Sequence, residues 1–158
     1  MSRQIEAGGV YLVPDHSVKL PPEEDRETHP QRTVLVVSHD KINQSGDWAV
    51  IMVAPISGST RFRTQYCVKL SAGEGNVTKK CWVRTSAVQP LAKSELGDYM
   101  GKVSEERLQD VMQELLSILP LAVEDDDIVE WSDEQEASTG IPLAPVAPLP
   151  STVFVGSA

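Results

Sequence analysis

The chain has 158 residues, 41% of them hydrophobic and 23% charged, with a formal net charge of −9, which suits one soluble domain with an appendage. No run nears the ~20 apolar residues of a membrane span, and the opening "MSRQIEAGG" lacks the apolar core of a secretory leader, so a cytoplasmic protein is expected. Two cysteines, Cys67 and Cys81, are too few and too strand-like for a metal site; they read as reduced thiols, and neither metal nor cofactor is expected.

The elements follow in chain order. "GVYLV" (9–13) reads as a first strand closed by Pro14, and a polar loop with four prolines runs from there to Pro30. "TVLVVS" (33–38) and "WAVIMVAPI" (48–56) are near-continuous apolar runs, joined by "HDKINQSGD", whose Asn, Ser, Gly and Asp supply turn chemistry. "RFRTQYCVKL" (61–70) alternates, which predicts a half-buried strand with Arg61, Arg63, Gln65 and Lys69 outward. After the turn "AGEGN", the segments "KKCWV" and "SAVQPL" give two shorter strands. Ser104 is a good N-cap, Glu105 and Glu106 suit the positive end of a helix, and Leu108, Val111, Met112, Leu115, Ile118 and Leu119 recur at helical spacing until Pro120. The fold class expected is mainly β with one C-terminal helix, a small curled barrel or sandwich.

Charge is distributed unevenly. Eight of the 23 acids lie in "EDDDIVEWSDEQE" (124–136), which has no base, so 15 acids face 14 bases elsewhere. The nearly neutral body leaves a nucleic-acid partner open. Beyond the acidic run, "IPLAPVAPLP" has the composition of an extended linker. The division expected is a domain at 1–122 and an acidic, then Pro-rich, tail at 123–158.

Arg32 stands immediately before a run fit for a sheet core, and an unpaired guanidinium cannot follow it inside. It must sit at the mouth of that strand. An ion pair with acids of the preceding loop is one role for it there; an anion held at a strand end is the other.

Four pieces, in order, resemble the MazF/PemK toxins of bacterial toxin–antitoxin pairs. They are "GGVYLV", "QRTVLVVS", "VIMVAPISGST" and the stretch from "CWVRTSAVQPLAKSELG" to "ERLQDVMQELLSIL", together spanning residues 8–119. The resemblance implies an SH3-like barrel, usually homodimeric, acting as a metal-independent, sequence-selective endoribonuclease on single-stranded RNA and silenced by a cognate antitoxin. It places the family's catalytic arginine on Arg32 and its hydroxyl residue on Ser57. His39, after the Arg32 strand, is a further candidate for moving a proton, since imidazole changes charge near neutrality. Arg61, Arg63, Lys79, Lys80 and Arg84 are candidates for tracking the RNA backbone, with Trp48 and Trp82 available for stacking. Three departures stand out: Thr33 replaces a proline, Ala87 and Gln89 stand where a Gln and an Arg are common, and the loop before Arg32 is long and acidic. The competing expectation is a catalytically silent binding protein on the same barrel, like the gyrase-poisoning CcdB branch. The acidic run, which carries Ile128, Val129 and Trp131, reads either as a disordered solubilising tail or, on the resemblance to the family's antitoxins, as a segment that folds back on the basic face as a partial inhibitor.

Overall fold

The computed structural model describes residues 4–21 and 27–120. The acidic and Pro-rich tail, with the inhibitory role expected of it, lies outside the described residues. Within them the chain forms β1 (Gly9–Pro14), β2 (Gln31–Val36), α1 (Asp40–Gln44), β3 (Val50–Ser57), β4 (Val68–Leu70), β5 (Cys81–Val83), β6 (Gln89–Ala92), β7 (Tyr99–Lys102) and α2 (Glu105–Ile118). Short 3-10 turns link several of these elements.

One antiparallel sheet runs in the order β4-β5-β3-β2-β1-β7. Strand β3 is its hub: Val50–Val53 pairs with β6, Val53–Ile56 with β2, and Ile56–Ser57 with β5. Serving three partners along eight residues obliges the sheet to curl, and the result is a half-barrel. Its apolar runs form two clusters. One gathers Val10, Leu35, Ile56, Leu70, Val83 and Val103, with Val111, Leu108 and Leu115 of α2 packed on it. The other gathers Val13, Val34, Val36, Ile51, Val53 and Leu91.

Helix α2 is capped as its sequence predicts, Ser104 Oγ accepting from the Arg107 N–H at 3.1 Å. Gly75 shows why a turn residue in "AGEGN" must be glycine. Its φ is +56°, and a Cβ there would lie 2.5 Å from Val10 Cγ2.

The alternation at 61–70 does not produce a ten-residue strand. Only Val68–Leu70 is extended; before it the backbone turns twice, Arg63 N–H donating to Thr60 O at 3.1 Å and Cys67 N–H to Thr64 O at 3.2 Å. Thr85 Oγ1 then fixes the segment by donating to Tyr66 O at 2.6 Å. Two elements were not expected: β7, held on β1, and the five-residue α1, capped by His39. Both cysteines are free thiols, Cys81 buried and Cys67 half-buried. No helix among the described residues is long and apolar enough to cross a membrane.

Candidate nucleic-acid cleavage site

Strands β2 and β3 deliver Arg32 and Ser57 to one place. Thr33 pairs with Ile56 in the antiparallel register, so one step further brings Arg32 opposite Ser57. Both residues line an open cleft of about 460 Å³. It is also lined by His29, Gly58, Arg61, Phe62, Lys79 and Arg84, which come from the loop before β2, the turn after β3 and the ends of β5.

Arg32 is held from the side of the β1–β2 connection. Its Nε donates to Asp15 Oδ1 at 2.5 Å, with side-chain exposures of only 12% and 13% for the pair. An Nη2 proton goes to the Glu27 carbonyl. The ion-pair role is therefore real, and among the described residues its partners are Asp15 after β1 and the Glu27 backbone oxygen; the acids at 23–25 lie outside the described residues. It does not close the site. Nη1 has no hydrogen-bond partner among the described residues, and a guanidinium gripped along one edge presents a fixed fork along the other.

Ser57 Oγ accepts from the Ser59 N–H at 3.2 Å. That bond uses a lone pair and orients the hydroxyl, whose proton is left to donate. Lys79 folds over the adjoining glycine: a Cβ on Gly58 would meet Lys79 Cε at 3.0 Å and Nζ at 3.5 Å. Its ammonium thus lies beside the Ser57 turn.

Arg84 is the least satisfied group here. Its Nε is buried without a hydrogen-bond partner, while its Cζ sits 5.9 Å from the Phe62 ring centroid, with Arg61 Cζ 5.1 Å from the same centroid. A buried donor left unpaired costs on the order of 1–3 kcal/mol, a cost that an entering anion would relieve. Guanidinium, ammonium and hydroxyl donors converging on one cleft can orient a phosphodiester and stabilise charge that develops on it.

The structure sorts the remaining expectations by location. Arg63 and Lys80 do not line the cleft; they lie over the Trp82 ring, 5.7 and 5.5 Å from its centroid. Trp82 itself is buried and Trp48, although exposed, is not in the cleft. Phe62 is the aromatic residue that lines it, and sequence reasoning missed it because the segment was read as a regular strand. His39 sits past the far end of β2 as the N-cap of α1, its Nδ1 accepting from the Lys41 N–H at 3.1 Å, and is not in the cleft. Gln89 is engaged elsewhere: its amide exchanges hydrogen bonds with the Lys19 backbone at 2.8 and 2.9 Å, fastening the β1–β2 connection to β6. No cluster of metal-ligating side chains occurs among the described residues.

A curled β half-barrel with a C-terminal helix, carrying a cleft lined by Arg32, Arg61, Lys79 and Arg84 at the joined ends of two central strands, places the chain among small β-barrel proteins. Residues 8–119 match the model of the PemK-like, MazF-like toxins of type II toxin–antitoxin systems, and the chain belongs to that family. Solved structures share the fold. A mycobacterial endoribonuclease in complex with its cognate antitoxin is 20% identical, covering 78% of this chain and 100% of its own at a TM-score of 0.55. MazE–MazF from Deinococcus radiodurans is 18% identical, covering 77% and 100%, at 0.58. The Mycobacterium tuberculosis toxin MazF-mt6 is 15% identical, covering 73% and 99%, at 0.56. No curated protein sequence matches the chain.

Proposed function

We propose that this toxin is an endoribonuclease that cuts single-stranded RNA without a metal ion and is restrained in the cell by a cognate antitoxin. The observation that carries the reading is the meeting of Arg32 and Ser57 in one open cleft with Lys79 and Arg84.

The chemistry follows from what RNA brings. Its 2′-hydroxyl is a built-in nucleophile, so the protein's task is to hold the linkage in line and to stabilise the pentacoordinate state. Arg32 grips two non-bridging oxygens of the scissile phosphate. Ser57 donates to one of them, and Lys79 and Arg84 neutralise charge as it gathers. The oxygen of the 2′-hydroxyl bonds to phosphorus, the bond from phosphorus to the 5′-oxygen breaks, and the products carry a 2′,3′-cyclic phosphate and a 5′-hydroxyl. A second copy of the chain and an antitoxin are the protein partners this reading includes; an antitoxin is present in the mycobacterial structure and MazE in the Deinococcus one.

The test is cleavage of single-stranded RNA in excess chelator by the purified chain and by Arg32→Ala. Wild-type cleavage that the substitution abolishes supports the reading. Intact RNA with both, from a chain that binds its antitoxin, would make it a silent binding protein on the same fold.

A further inference from the structure

The cleft as described so far grips a phosphate but moves no proton. Arginine and lysine side chains are charged at neutral pH, and a serine hydroxyl is too weak a base to take a proton from the 2′-hydroxyl. A ribonuclease working near neutrality gains from an imidazole at this point.

The chain has three histidines, and one of them is in the cleft. His16 is exposed in the 3-10 turn after β1 and His39 caps α1, whereas His29 lines the cleft three residues before Arg32. Its position there is steered from both ends. Pro30 follows it, fixing the approach to β2, and the neighbouring Glu27 holds its carbonyl against Arg32 Nη2. Charged groups among the described residues surround it. Glu27 Oε2 lies 3.8 Å from His29 Nε2, while Arg32, Arg61, Lys79 and Arg84 share the cleft and Asp15 offsets Arg32. His29 is half exposed, so water and an incoming strand both reach it.

We infer that His29 is the general base of this site. The inference rests on the ribonuclease reading and names the residue that reading lacks. The neutral imidazole takes the 2′-hydroxyl proton as the oxygen attacks phosphorus. The departing 5′-oxygen takes a proton from water, and the imidazolium returns its proton to solvent before the next turnover. The Glu27 carboxylate, 3.8 Å from His29 Nε2, favours the imidazolium as it forms.

The test uses the full chain, a single-stranded RNA oligonucleotide, and single-turnover rates across the pH range in which imidazoles titrate. Wild type gains rate with rising pH, as an imidazole base requires. His29→Gln loses about 10²- to 10⁴-fold in rate, the range general-base catalysis supplies, and loses that pH dependence, with RNA binding little changed. His29→Ala recovers activity in proportion to added imidazole, and His16→Gln behaves as wild type. A wild-type chain that leaves RNA intact overturns the ribonuclease reading and this inference with it. A wild-type chain that cleaves while His29→Gln cleaves as fast, with the same pH profile, overturns this inference alone.

Discussion

The sharpest handle on the site is Arg32→Lys, which keeps the positive charge and removes the fork. In the native arrangement Nε belongs to Asp15 at 2.5 Å and an Nη2 proton to the Glu27 carbonyl, so two directions are spent on the protein while Nη1 has no hydrogen-bond partner among the described residues. A lysine has one ammonium and must choose. Asp15, only 13% exposed, is a strong competitor for it. Charge-assisted hydrogen bonds are worth about 1.5–3 kcal/mol each, so two lost phosphate contacts slow Arg32→Ala by about 10²- to 10⁴-fold at ~1.4 kcal/mol per decade. Arg32→Lys, which salvages one contact at most, falls about 10- to 100-fold on the same scale. The assay is single-turnover cleavage of a single-stranded RNA, with thermal melting alongside to separate chemistry from folding. Lysine supporting wild-type rates would refute the reasoning, because it would show that the planar fork is not used.

Other perturbations probe different parts of the account. Ser57→Ala removes one donor to a charged oxygen and slows single-turnover cleavage about 10- to 100-fold with unchanged melting; an unaltered rate would leave Ser57 as a turn residue. Lys79→Ala weakens RNA binding and flattens the plot of log affinity against log salt by about 0.7, the contribution of one phosphate contact to a single strand; an unchanged slope would remove Lys79 from the interface. Glu74 tests the scaffold. Its carboxylate accepts from the Ser71 N–H at 2.5 Å and from Arg107 Nε at 2.9 Å. The Ser71 bond above all, and then Arg107 against the opposing effect of burial, hold it below its ordinary value of 4.5. A depressed carboxylate stabilises the fold above its unfolded value and loses that contribution as pH falls through its folded value. Glu74→Gln therefore costs about 1–2 kcal/mol at neutral pH, and its stability gap to wild type closes in acid. A gap that stays constant with pH, measured by urea unfolding, would contradict this.

The parts of the fold legible in the sequence were those where pattern and packing agree. The runs 33–38 and 48–56 became β2 and β3, shifted by one or two residues, because their central positions, from Val34 to Val36 and from Val53 to Ile56, are buried and favour β-branched or apolar side chains. Helix α2 was legible from Ser104 to Ile118 because its cap and its spacing point the same way. The segment 61–70 misled for the opposite reason. Its alternation is real, but turn hydrogen bonds at Thr60–Arg63 and Thr64–Cys67 hold it off the sheet. Strand β7, the short "YMGK", has too little pattern of its own and exists through pairing with β1.

The site divides in the same way. Arg32 was conspicuous as a charge set against a core strand, but its partner Asp15 lies 17 residues earlier, across a connection whose path no local pattern reveals. Ser57 drew notice only through the family resemblance, since "SGST" by itself is turn chemistry. His39 follows Arg32 by seven residues and His29 precedes it by three, and the two histidines lie at opposite ends of the β2 strand. A strand carries its two ends ~3.3 Å per residue apart, so the histidine preceding it reaches the cleft and the one following it does not.

The central claim is tested most directly by the chemistry of the cut ends. A mixed pool of single-stranded RNA is exposed to the purified chain in excess chelator, and the new termini are mapped and typed. Cleavage by the 2′-hydroxyl leaves 2′,3′-cyclic phosphates upstream and 5′-hydroxyls downstream at a restricted set of sequences. Fragments bearing 5′-phosphates, or a pool that stays whole, would contradict the account.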